Sequence, residues 1–348
     1  MPRVSGALLL GLGLLVGCTY TDVPSPGGVL DSEGPLPKGV FVARYAHGAG
    51  NTSGGQGTFL SVFDESSGKH LRDLVHLAAG LPARLGGFSR SGDGSVVYAL
   101  ESGPEHADSD GTGTPRPGTC GGTVYRLDAS TGQVRSLFVV VKDRILGAPM
   151  VSPDGTSVAY LSAPCPGASA QEVVVHNLGT NRERTIRVDR AAPTGIGWSA
   201  DDTQLVLAVS PTDPGQPAGF LVVPAGVAGT QPESAVHAAP DGGCAVEAAA
   251  FGETGVELAE GCPAWMGAPG RLLQLVGAGP TVAWRVDTHL CPTGMTLAHD
   301  LSGGLLVSST AACGAGGDPV DVVQLWTGQT AREIGSYSNP DQFVNDAS

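Results

Sequence analysis

The residues with the most pointed chemistry lie in the segment 105–113, where Glu105, His106, Asp108 and Asp110 precede Gly111 and Gly113. Asp108 and Asp110, one residue apart before a glycine, place two carboxylates on a tight turn, which is how hard cations such as calcium collect oxygen ligands. The further acidic positions and distal glutamate of a helix-loop-helix calcium site are missing. The segment therefore reads first as an exposed Asp/Gly loop, with calcium at Asp108 and Asp110 as the sharper expectation. No C-x-x-C occurs and the eight histidines hold no ligand spacing to the seven cysteines, which argues against structural zinc. No G-x-S-x-G marks a hydrolase nucleophile. The glycine-rich 48–57 lacks the G-K-[ST] ending of a phosphate loop. Trp198, Trp265, Trp284 and Trp326 read as core or loop packing ahead of a sugar platform. No catalytic constellation emerges, and no cofactor beyond calcium is expected.

The elements that must carry these residues are constrained by composition. Gly 53 and Pro 26 make up about 23% of 348 residues, against about 12% in average proteins. Glycine costs roughly 1 kcal/mol and proline roughly 3 kcal/mol inside a helix, so long helices are disfavoured. Hydrophobic residues at 41% and charged residues at 15% nevertheless make a chain apolar enough to fold. Lys+Arg 19 against Asp+Glu 33 gives a net charge of −14. With no basic segment to release counterions, nucleic acid is not an expected partner.

The N-terminus carries an address. Arg3 precedes an apolar run at 7–16, the pattern of a secretory signal and too short to span ~30 Å of hydrocarbon. Leu15-Val16-Gly17-Cys18 resembles the lipobox of bacterial lipoproteins. The resemblance implies cleavage before Cys18 and acylation of its thiol, and more than one acyl chain makes anchoring stable. Residues 1–17 are then the signal peptide, and 18–38, with Pro24, Pro26, Pro35 and Pro37, a lipidated cysteine and flexible tether. Under the sorting rule of enteric bacterial lipoproteins, which the resemblance brings in, Thr19 in place of aspartate implies the outer membrane, on its periplasmic side or at the cell surface. The other six cysteines, an even count in an exported chain, favour disulfides.

Residues 39–348 read as one repeat domain. Five segments (88–98, 151–160, 198–207, 251–258 and 297–307) share a large apolar residue, a turn rich in Asp, Ser and Gly, and an alternating apolar strand. Six further hairpins (58–77, 122–137, 171–188, 218–236, 271–286 and 320–334) alternate with them. The anchors Phe88, Val151, Trp198, Phe251 and Leu297 are spaced 63, 47, 53 and 46 residues apart, against about 40–50 for a four-stranded propeller blade. The sequence Val151-Ser152-Pro153-Asp154-Gly155, with its following Val158-Ala159-Tyr160 strand, resembles the repeat of TolB-like, WD-repeat-like bacterial β-propellers. Gly252 to Gly255 and Asp300 to Gly303 depart from it. The expected fold is all-β: a six-bladed β-propeller of four-stranded antiparallel blades, seven-bladed as alternative, with disulfide-supported loops. Gln342-Phe343-Val344 is expected to close the ring.

In a propeller the hairpin turns share one face, and the loops joining hairpins share the other. The long segments 46–57, 101–121, 163–170, 211–217, 238–245 and 311–319 fall on the second face, where function is expected. All six cysteines fall there too. Cys244 and Cys262 flank one inner hairpin and Cys291 and Cys313 the next, so each couple is expected to pair, leaving Cys120 with Cys165. The expected function is non-catalytic binding of an envelope protein, peptide or cell-wall component by a monomer anchored to the membrane through Cys18. The alternative is a calcium-dependent, lactonase-like propeller hydrolase with a central-channel site.

Overall fold

The computed structural model describes residues 34–46, 57–78, 83–102, 121–140, 144–164, 171–212, 218–240, 243–262, 270–292, 294–299, 304–311, 320–337 and 342–347. Cys18, Asp108, Asp110, Cys120, Cys165, Trp265 and Cys313 lie outside the described residues. Among the described residues no helix is long and apolar enough to cross a membrane.

Strands β1 (Val40–Ala46), β2 (Gly57–Phe63) and β3 (His70–Ala78) belong to a first sheet. A second holds β4 (Ala83–Arg90), β5 (Val96–Ser102), β6 (Gly121–Leu127) and β7 (Val134–Val140). The next strands are β8 (Arg144–Val151), β9 (Ser157–Pro164), β10 (Glu172–Asn177), β11 (Arg182–Val188) and β12 (Ala191–Trp198). They join β13 (Gln204–Pro211), β14 (Gly219–Pro224), β15 (Gly229–Gln231) and β16 (His237–Ala238) in one nine-stranded sheet. Two more four-stranded sheets follow: β17 (Ala245–Phe251), β18 (Gly255–Gly261), β19 (Gly270–Val276) and β20 (Val282–Thr288), then β21 (Thr296–His299), β22 (Leu305–Ala311), β23 (Val320–Thr327) and β24 (Thr330–Tyr337). Strand β25 (Gln342–Ala347) returns antiparallel to β1, pairing Arg44 with Val344 and Tyr45 with Phe343. It is the innermost strand of the first sheet, as expected from the ring-closing reading of that segment.

The expectation of six separate blades, and the seven-bladed alternative with it, is corrected. Four blades stand as separate four-stranded sheets, and the chain from Arg144 to Ala238 forms a single larger sheet. Its two halves meet because Asp189 and Arg190 turn the chain in two residues, Arg190 taking φ 55°, so Val188 pairs with Ala191. Strand β15 adds a second link. It leaves the β14 hairpin and runs parallel to β11, with Ile186 opposite Gly229 and Val188 opposite Gln231. The innermost strands still follow one another round a closed ring, β25 beside β4, then β8, β12, β17, β21 and back to β25.

Burial is greatest in the middle strands of each sheet and falls at the outer strand. Strand β18 is buried along almost its whole length, whereas β20 alternates half-buried and exposed positions before Thr288. A strand covered on both faces needs a continuous apolar run, and an outer strand needs alternation. Strands β4, β8, β12 and β17 each carry a register shift near mid-strand, at Leu85/Phe88, Gly147/Met150, Pro193/Gly195 and Val246/Ala248. Such bulges bend a strand and increase its twist. The bent strands also approach closely: a Cβ on Gly197 would lie 2.9 Å from the Ala249 oxygen and 3.1 Å from the Ala250 Cα. Part of the glycine excess therefore serves backbone contact around the axis.

Candidate functional site

The inner turns repeat one hydrogen-bonded design. Ser91, Ser152 and Ser199 donate their hydroxyls to the carboxylates of Asp93, Asp154 and Asp201, which also accept backbone N–H groups from Ser95, Thr156 and Thr203. These bonds hold Asp154 and Asp201 below the ordinary carboxylate value; at Asp93 burial pushes the other way and is outweighed by Ser91, Ser95 and the Arg126 guanidinium. Left-handed residues close the turns, Gly94 at φ 81°, Gly155 at φ 72° and Asp202 at φ 61°. Neighbouring turns are tied together: Gly92 N–H donates to the Pro153 carbonyl at 3.2 Å, and Asp154 N–H to the Asp202 carboxylate at 3.1 Å. The result is a rigid acidic rim.

The fourth of these inner turns, between β17 and β18, breaks the design. Gly252 stands where the others have serine and Thr254 where they have aspartate, and the Gly252 N–H bonds the Gly255 carbonyl, a shorter span than Ser91 to Ser95, Ser152 to Ser157 or Ser199 to Gln204. Two residues into the following strand, where β5, β9 and β13 bury Val97, Ala159 and Val206, β18 places Glu257. A Cβ on Gly252 would lie 2.6 Å from Glu257 Oε1, so the glycine leaves that carboxyl group its place.

A cavity of about 680 Å³ opens at this broken turn. It runs from the inner turns at Pro153, Trp198 and Phe251 outward between the β17–β20 and β21–β24 sheets, past Glu257 and Trp284 to Trp326. Register explains the lining, because Glu257 pairs with Gln274 and Gln274 with Trp284, and paired residues share a sheet face. Trp326 pairs with Leu305 on the facing sheet. The Trp198 indole N–H donates to the Met150 carbonyl at 2.9 Å, and that of Trp326 to Gln324 Oε1 at 3.1 Å. Those two rings therefore offer the cavity aromatic surface rather than a donor. A concave, mostly apolar space with a few polar groups is the usual form of a ligand site.

This cavity lies on the turn face, opposite the loop face to which the sequence assigned function; most of those loops are outside the described residues. Three of the four tryptophans line it, and all three also pack as the sequence reading expected, Trp326 within a core cluster and Trp198 and Trp284 against core clusters. The available signal was the departure of Gly252 to Gly255 from the repeat.

At the other end of the β17–β18 hairpin Cys244 and Cys262 form a disulfide, as their positions at the hairpin ends implied. Cys291 is also disulfide-bonded. Among the described residues Cys244, Glu260 and Cys262 have ligand atoms close enough to share an ion, but the two sulfurs are bonded to each other. A Ser, His and Asp group occurs at Ser61, His70 and Asp73. Asp73 Oδ1 accepts from Ser61 at 2.6 Å and contacts His70 at 2.8 Å, so the serine faces the carboxylate rather than an activating imidazole.

The architecture defines the class before any comparison: a closed ring of antiparallel sheets, a β-propeller. No family model matches the sequence, and neither do any of the curated proteins. Among solved structures, TolB from Acinetobacter baumannii superposes with a TM-score of 0.56 at 13% identity, covering 89% of this chain and 66% of its own. This chain thus spans just under two thirds of that protein. A protein described as a TolB of Agrobacterium tumefaciens gives a TM-score of 0.53 at 13% identity, covering 89% of this chain and 98% of its own. The chain has the fold of a TolB-like β-propeller.

Proposed function

We propose that this chain is a non-catalytic, lipid-anchored propeller of the bacterial cell envelope that binds an extended segment of a protein partner at its turn face. The observation that carries the reading is the aromatic cavity between Trp198, Trp284 and Trp326, held by turns hydrogen-bonded to one another. Export is supported by the signal pattern, by Cys18 in its lipobox-like setting and by the Cys244–Cys262 disulfide, since disulfides persist in oxidising compartments. The TolB-like fold agrees with an envelope role.

The test is a photo-crosslinking amino acid placed at Ala200 or Thr327, which are exposed residues at the cavity, in cells of the native host. A discrete protein adduct from these positions, absent from a probe at the exposed Arg182 on β11, is the expected result. Adducts to cell-wall glycan, or none, would overturn it. Cys18→Ala is expected to release the protein from membranes without detergent, and continued membrane retention would refute the anchor.

A further inference from the structure

We propose that the cavity receives a cationic side chain, lysine or arginine, from the bound segment, an inference that rests on reading the cavity as a peptide site. Its walls supply aromatic surface from three indoles, and a cation over an indole face is attracted by the ring quadrupole. Its charged groups have one sign: Glu253 is exposed at the mouth, Glu257 lies inside, and no lysine or arginine is among the lining residues. Glu257 is the informative residue. It occupies a strand position that β5, β9 and β13 fill with a fully buried Val97, Ala159 or Val206, so the carboxyl group replaces an apolar side chain beside an inner turn that lines the cavity. The adjoining rim carries Asp154 and Asp201 with lowered pKa values, and the whole chain carries a net charge of −14. That field steers cations toward this face. An acidic side chain would meet like charge, and a neutral one would use the rings but not the carboxylates.

The probes are hexapeptide mixtures fixed at one central position as lysine, arginine, norleucine or glutamate and randomised elsewhere. Because three of the four tryptophans line the cavity, intrinsic tryptophan fluorescence of the purified mature protein reports its occupancy. Lysine- and arginine-fixed mixtures are expected to bind about five- to thirtyfold more tightly than the norleucine-fixed mixture, the range of a partly desolvated cation–π contact. The preference should weaken with added salt and be smaller, though not abolished, in Glu257→Gln, which removes the carboxylate and keeps the rings. Equal binding of the lysine and norleucine mixtures to the wild-type protein would overturn the inference while leaving a peptide site standing. Failure of every mixture to bind, together with failed crosslinking at Thr327, would remove the peptide reading itself. The norleucine comparison needs no variant, so it decides the matter even if Glu257→Gln is unstable.

Discussion

Replacing Cys244 and Cys262 together by alanine tests the stabilising role of the covalent link at the base of the β17–β18 hairpin. The two residues are 18 apart in sequence, and a cross-link closing a loop of that length removes unfolded-state entropy worth about 3 kcal/mol. Both side chains are buried, at 3% and 1% exposure, so shortening them adds on the order of 1 kcal/mol of lost packing. With a urea slope of about 3 kcal/mol per molar, a loss of about 4 kcal/mol lowers the unfolding midpoint by roughly 1.3 M. The assay is urea denaturation followed by far-UV circular dichroism without reductant, so that the disulfide at Cys291 stays intact. The slope should rise slightly, because the unfolded ensemble is less constrained. A midpoint within about 0.3 M of wild type would refute the loop-closure reasoning. Peptide binding should be unchanged in this variant, since the cavity lies at the opposite end of the hairpin.

Gly197→Val puts side-chain carbons where a Cβ already lies 2.9 Å from the Ala249 oxygen and 3.0 Å from Val206 Cγ1. Overpacking of this kind costs about 1–3 kcal/mol, and a fall in thermal midpoint of about 2–6 °C is expected; an unchanged midpoint would show that the inner strands can separate freely. Asp128 is held at about 2, down from 3.8, chiefly by the Ser130 and Thr131 hydroxyls and the Thr131 N–H. Its depressed pKa means that the carboxylate stabilises the fold above about pH 4 and that this contribution is lost as pH falls through about 2. Asp128→Asn should therefore be less stable than wild type at pH 7, with the gap closing by about pH 2, and a gap constant with pH would contradict the assignment. Deleting 338–348 removes β25 and bares the edge of β1; dimers or larger species in size-exclusion chromatography are expected, and a monomer of unaltered midpoint would show that β25 is dispensable.

The parts of the fold legible in the sequence were those set by local chemistry. Turn residues such as Asp154 and Gly155 punctuate alternating strands, so hairpins could be placed and Cys244 matched to Cys262 as the two ends of one hairpin. The fusion of the sheets at Val188 and Ala191 was not legible, because it depends on Arg190 adopting φ 55° and on β15 preferring a neighbour more than 40 residues earlier in the chain. The cavity was hidden for a related reason. Glu257, Gln274 and Trp284 are 17 and 10 residues apart and meet only through strand register. Trp326 arrives from a different sheet. What the sequence did display was an irregular turn at Gly252 to Gly255, which looked like decay of a repeat and lies where the ring is open to a ligand.

The pairing of β25 with β1 joins the last described strand to the first. Arg332 donates to the Glu65 carbonyl across 267 residues of sequence, adding a second tie at the same seam. The ring therefore cannot be completed until β25 is available to pair with β1. Through that interval β1 waits with an unpaired edge while the rest of the propeller assembles. Such contacts between distant residues form slowly. A ring of this design is most open to edge-to-edge misassembly just before closure, so a folding defect in this protein should first be felt at the free edge of β1.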